Sequence, residues 1–298
     1  MAKLPPEVPS PLETETVPLP RSTGLIAGFT LIGLSVRNLS RVRRLVVITL
    51  LFLLPSALIL LIRALARHAF EREGPEAYFG LEFGIVLTFI PQVLLQLTAL
   101  LFASGMIQDE IEDQTLTYLM IRPIPKSVIF LAKWFAVVFV AGLVFTLFTT
   151  LSSACVWSYA EVLSGREWLA RTAAIVGCML ASLCAYAAFF GFISLLFKRS
   201  LILGVVYIII FEGVIANVPL FIREYTIMYY LRVAMLHSVT FPDRMAGDFR
   251  RVWGIDFGVA PSLAGALTTL GVVTLVFLLL SSYFMSTREF RLKTPEGN

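Results

Sequence analysis

Residues 128–157, VIFLAKWFAVVFVAGLVFTLFTTLSSACVW, run for 30 positions with one charged side chain, Lys133. A bilayer crossing takes about 20 apolar residues at a rise of about 1.5 Å each. The stretch therefore spans a membrane with length to spare, and tilt or an extension into water at one end takes up the excess. The rest of the chain is of the same kind: 58% of its 298 residues are hydrophobic, 15% are charged and the mean hydropathy is +0.84. A soluble domain carries roughly a quarter charged residues. The composition is that of a polytopic membrane protein.

Working outward, five further stretches are long and apolar enough to cross: Leu45 to Ile62, Phe83 to Ser104, Thr172 to Phe197, Leu201 to Ile222 and Pro261 to Met285. The fourth and fifth spans are separated only by KRS, residues 198–200, which suits a tight turn at one membrane face. The expected fold is all-α, with six transmembrane helices and both termini on one side. Assigning the termini, the 105–127 loop and the KRS turn to one face gives that face 14 of the 24 basic residues, Lys133 included. The excess of Lys and Arg places this face in the cytoplasm. Arg37, Arg41, Arg43 and Arg44, directly before the first span, weigh most.

The first 22 residues, rich in Pro and Glu, cannot bury a core and read as a flexible cytoplasmic tail. They lack the apolar run of a signal peptide. A membrane domain would then occupy residues 23–298. Within residues 25–44, Leu25, Phe29, Ile32, Val36 and Leu39 recur at helical spacing, and Arg37, Arg41 and Arg44 gather on another face. That pattern predicts an interfacial elbow helix whose arginines meet anionic headgroups. An extra span is the competing assignment, but the arginines leave too short a clean apolar stretch.

Cys155, Cys178 and Cys184 form no CxxC pair and sit in apolar runs, where cysteine behaves as a small hydrophobe. His68 and His237 have no neighbouring ligand pattern. The pattern points away from a metal site or a Cys and His nucleophile, and GxxxxGK[ST] is absent, so the chain has no phosphate loop of its own for ATP. No catalytic residue, bound cofactor or nucleic-acid partner is expected.

Upstream of the opening stretch lies GMIQDEIEDQTLTYLMIRPIPKS, residues 105–127. Helix-favouring residues run from Ile107 to Ile121, and Pro123 and Pro125 stop them. Asp109, Glu110, Glu112 and Asp113 would open this helix, where carboxylates complement the dipole. Leu116, Leu119 and Met120 make an apolar side. A solvated turn accounts for the charge, but not for the stripe or the Pro-x-Pro stop.

Glu110, Glu112, Thr115, Leu116, Leu119, Pro123, Lys126 and Lys133 together resemble the E-x-E-x-x-T-L, P-x-x-[RK], K pattern that follows the second span in type-2 permeases of ATP-binding-cassette exporters. Gln114 and Ala132 stand where that family often has Gly. The layout is also similar, with an elbow helix, six spans, inside termini and a long outer segment at 219–260. The resemblance implies a coupling helix at 107–121 that docks in a groove of a separate ATPase subunit. Two ATPase copies would hold the ATP and Mg. Docking would fall to Glu110, Glu112, Leu116, Leu119 and Arg122, charges setting register and leucines entering the groove. A second copy of the permease or a homologous one, membrane lipids, and an accessory periplasmic protein are the other implied partners, in a plasma or inner membrane. The cargo is not implied.

Polar groups inside spans are costly in lipid. Glu212, and Gln92 and Gln96 beside Pro91, are candidates for a polar lining on a translocation path. In the structural alternative Glu212 pairs with Arg223 or another outer-loop arginine and the glutamines join helices; the sequence favours this second assignment. Gly177, Ala181 and Ala185 form a smooth stripe on span four, open to close approach by another helix within the subunit or across a dimer. Tyr225 to Val239 predicts a helix on or in the outer leaflet, and Arg244, Arg250 and Arg251 face headgroups by default. An ion-gradient-driven secondary transporter would want midplane ionisable groups and inverted repeats, and a membrane scaffold would need no coupling helix. Co-purification of an ATPase subunit separates these classes.

Overall fold

A computed structural model describes Gly33 and residues 42–112, 125–158, 162–218, 221–255 and 260–287. These residues form helices and connections with no strand among them. The helices are α1 (Val42–Leu65), α2 (Arg67–Glu73), α3 (Pro75–Leu81), α4 (Gln96–Glu112), α5 (Lys126–Trp157), α6 (Gly165–Leu196), α7 (Ser200–Tyr207), α8 (Ile227–Ser238), α9 (Asp243–Trp253) and α10 (Leu263–Thr287). Two π-helical segments, Glu82–Leu95 and Ile208–Val214, continue α3 into α4 and extend α7.

Among the described residues, six helical stretches are long and apolar enough to cross a bilayer: Val46–Leu65, Pro75–Met106, Lys126–Trp157, Gly165–Leu196, Ser200–Asn217 and Leu263–Thr287. They coincide with the six predicted spans and extend most of them. Two of them, α5 and α6, have 32 residues each, about 48 Å against a hydrocarbon thickness of about 30 Å. The second to fourth spans are the core, between 61% and 67% buried over their apolar windows, while the sixth is 11% buried. Apolar residues lie exposed on α1 and α10, among them Leu50, Leu54, Leu275 and Leu279.

α6 is the hub, packed against α4, α5, α8 and α10. Its N-terminus is closed by a capping box in which the Ser164 hydroxyl accepts from Glu167 N–H and the Glu167 carboxylate accepts from Ser164 N–H, as expected for Ser-x-x-Glu ahead of an apolar run. After the turn at Lys198 and Arg199, α7 comes back against α4 so closely that a Cβ on Gly204 would stand 2.1 Å from Leu100 Cδ1.

The predicted outer helix is present as α8, but it is buried on nearly every side and packs between α6 and α10. A second outer helix, α9, docks on the first π segment through Phe249, stacked 3.9 Å from Phe83, and through Trp253, whose indole N–H donates to Thr88 Oγ1 at 3.2 Å. Gly254 ends α9 at φ +63°, and a Cβ there would meet Arg223 Nη1 at 2.7 Å. Conformation and space both require glycine.

Two boundaries differ from the sequence expectation. α4 is continuous through Glu112, so Asp109, Glu110 and Glu112 lie on the same helix as the end of the second span. Hydropathy falls at Ser104, but backbone hydrogen bonding does not stop where lipid does. Likewise Val42, Arg43 and Arg44 are the first residues of α1. The remainder of the elbow assignment, apart from Gly33, and residues 113–124 of the coupling-helix assignment lie outside the described residues.

Candidate functional site

The two π segments meet. A π turn is wider than an α turn and breaks the ordinary i to i−4 ladder, a feature frequent at functional sites. In the first segment Pro91 has no N–H to give, which loosens the ladder further. One residue on, the Gln92 side chain reaches the second segment and donates from Nε2 to the Glu212 carbonyl at 2.6 Å. Asn217 adds a second, longer bond to that carbonyl at 3.3 Å and one to Gly213 O at 2.7 Å. Backbone groups freed by the π geometry are thus satisfied by side chains.

The Glu212 carboxylate is fully buried. Oε1 accepts from the Tyr207 hydroxyl at 2.9 Å, and Oε2 accepts from Met228 N–H at 3.3 Å. Met228 is the second residue of α8, so the carboxylate sits at the positive end of that helix, where negative charge is stabilised. Thr226 completes the cap by accepting from Tyr229 N–H at 3.3 Å.

α8 is pinned again in its middle. Arg232, 4% exposed, donates to Gln92 Oε1 at 2.6 Å, Asn217 Oδ1 at 2.8 Å and Ala216 O at 3.3 Å, and lies 5.7 Å over the Trp253 ring. Desolvation by burial draws its pKa below the ordinary arginine value, opposed by Tyr186 and Glu212. The predicted trio therefore does come together in one polar layer, with Gln96 donating to the Tyr186 hydroxyl at 3.2 Å. Gln96 Oε1 is buried with no partner among the described residues. Arg223 is not the partner of Glu212: its guanidinium lies 5.7 Å over the Tyr229 ring. Hydroxyl and helix N–H donors meet the charge instead.

A second charged cluster was not anticipated. Arg171 binds Glu82 Oε2 through Nε at 2.8 Å and Nη2 at 2.6 Å, and Trp157 donates to Glu82 Oε1 at 3.0 Å. The remaining arm of Arg171 reaches Thr240 O at 2.5 Å, just past the end of α8. Phe79 and Phe241 flank the guanidinium at 5.0 Å each. The predicted spans began at Phe83 and Thr172, one residue beyond each partner, so both charges were assigned to loops.

Of the predicted docking residues, Glu110 and Glu112 lie on the final turns of α4, and Leu116, Leu119 and Arg122 lie outside the described residues. Lys133 donates from Nζ to Met106 O at 2.8 Å and so ties α5 to α4 one turn before Glu110.

Six helices among the described residues that are long and apolar enough to cross a bilayer define a multi-pass membrane protein. The family model described as ABC-2 family transporter protein matches residues 39–215, more than half of the chain, and the protein belongs to that family. No curated protein matches it.

Proposed function

We propose that the chain is the permease subunit of an exporter whose ATP hydrolysis is performed by two copies of a separate ATPase subunit, which would hold the ATP and Mg. The observation that carries this is mechanical. α4 runs unbroken for 17 residues from Gln96 to Glu112, about 25 Å at about 1.5 Å per residue, so a push at Glu110 and Glu112 is delivered to the polar layer by one rigid element. Lys133 braces that element on α5. Leu116, Leu119 and Arg122 complete the docking surface in this proposal, with a second permease copy and a plasma or inner membrane location implied by family likeness. The chain itself performs no covalent chemistry.

Within this scheme Gln92, Gln96 and Glu212 act as a joint between the second span, the fifth span and α8. The full burial of Gln96 and Glu212 supports a joint over an open lining. The test is the Leu116→Glu, Leu119→Glu double variant. Loss of ATPase-subunit co-purification with the permease still folded is expected; undiminished association overturns the docking and leaves an ion-driven transporter or a scaffold.

A further inference from the structure

Two buried charges of opposite sign share the polar layer without meeting. The Glu212 carboxylate is held by the Tyr207 hydroxyl and Met228 N–H, and Arg232 by Gln92, Asn217 and Ala216. All of these partners are neutral, and neither charge has an ionic partner among the described residues. Glu82 and Arg171 take the other course, a direct contact at 2.6 Å. A buried charge is costly unless an opposite charge or several hydrogen bonds meet it, so the separation in the polar layer has a cause.

The cause is a pair of amides. Gln92 donates from Nε2 to the Glu212 carbonyl at 2.6 Å and accepts from Arg232 at Oε1, also at 2.6 Å. Asn217 repeats the arrangement, with Nδ2 toward the same carbonyl at 3.3 Å and Oδ1 toward Arg232 at 2.8 Å. An amide carries donor and acceptor on one carbon, so each bridges the two residues while their charges stay apart.

Distance is not the obstacle. Met228, whose N–H binds the carboxylate, stands four residues before Arg232, so both lie on one face of α8, about 6 Å apart at about 1.5 Å per residue. Helical side chains lean toward the N-terminus, which aims Arg232 at the Met228 end. The guanidinium has donors to spare, since three of its five N–H groups are used. Pairing with Glu212 can therefore keep Asn217 and Ala216 and requires that Gln92 leave. On the carboxylate, the bond to Met228 N–H at 3.3 Å is longer than that to Tyr207 at 2.9 Å and is the one that yields. Gln92 rides on the π segment that continues into α4, whereas Asn217 ends the fifth span and Arg232 belongs to α8.

We propose that Glu212 and Arg232 are a latent ion pair and that Gln92 is the positioning residue that keeps it open: withdrawal of the second span closes the pair, and closure uncaps α8. This rests on the joint assigned to the polar layer and not on ATPase docking, so the chain alone tests it.

The full chain in mixed micelles is compared with Gln92→Met, which keeps the volume and removes both amide contacts. In each background Glu212→Gln, Arg232→Gln and their combination complete a double-mutant cycle in the unfolding constant. Attraction grows as charges approach, so the coupling between Glu212 and Arg232 is expected to be at least about tenfold larger in the Gln92→Met background. Amide exchange at Met228 is expected to be at least about fivefold faster in Gln92→Met alone, a measurement that does not require the cycle variants to fold. Equal coupling in the two backgrounds, with faster exchange, overturns the latent pair and leaves the joint standing. Unaltered exchange at Met228 overturns the pair and the joint together.

Discussion

Replacing Arg171 with methionine removes the only cation bonded to Glu82 among the described residues, and Glu82 has no exposure to water. With about 4 Å between charge centres and an effective dielectric near 20, the attraction is roughly 4 kcal/mol. Desolvation of two buried ions costs a comparable amount, so the intact pair contributes little net stability relative to well-packed apolar residues. Deleting one member is different, since it strands the other at a cost of about 3–5 kcal/mol. The loss of the bond to Thr240 O and of the contacts with Phe79 and Phe241 acts in the same direction. Arg171→Met alone is therefore expected to lower stability by about 3–5 kcal/mol, and Glu82→Met with Arg171→Met to recover roughly 1–3 kcal/mol of that loss, since the Trp157 N–H and Thr240 O remain without their partners. Unfolding titrations in mixed micelles on the four members of this double-mutant cycle measure both values. A single variant within 1 kcal/mol of the wild type, or a double variant as unstable as the single, refutes the assignment of a buried, mutually dependent pair.

Glu212→Ala leaves the Tyr207 hydroxyl and Met228 N–H without their acceptor, at about 1–3 kcal/mol per stranded donor. Hydrogen exchange at the start of α8 should accelerate while ATPase-subunit association persists, and unchanged exchange there would show that the carboxylate does not cap the helix. Gly254→Ala places a Cβ at φ +63° against Arg223 Nη1, so a loss of about 1–3 kcal/mol in thermal unfolding is expected from the strained backbone; a melting temperature equal to the wild type would remove the requirement for glycine.

Membrane class and helical content were legible in the sequence because hydropathy is a local property. Each span can be recognised from about 20 consecutive residues without knowledge of its neighbours. The family motif between Glu110 and Lys133 was legible for a similar reason, as its spacing is continuous along the chain. Span ends were read less well, since helical hydrogen bonds carry α4 past Ser104 to Glu112 and carry α6 back to Gly165, beyond the last lipid-like residue. Those few residues hid Glu82 and Arg171.

By itself the sequence marked six stretches long and apolar enough to cross a membrane and the family that the segment from Glu110 to Lys133 resembles. Tertiary structure alone decided the partners. Glu82 meets Arg171 across 89 residues, and Gln92 meets Arg232 across 140. No periodicity encodes such separations, because they depend on how tilted helices pack and on where π turns rotate a face. Burial then decides the energetics: Glu212 is tolerable in the bilayer because the end of α8 and Tyr207 are brought to it. The same packing leaves Gly177 and Gly271 facing open space, which no one-dimensional pattern contains.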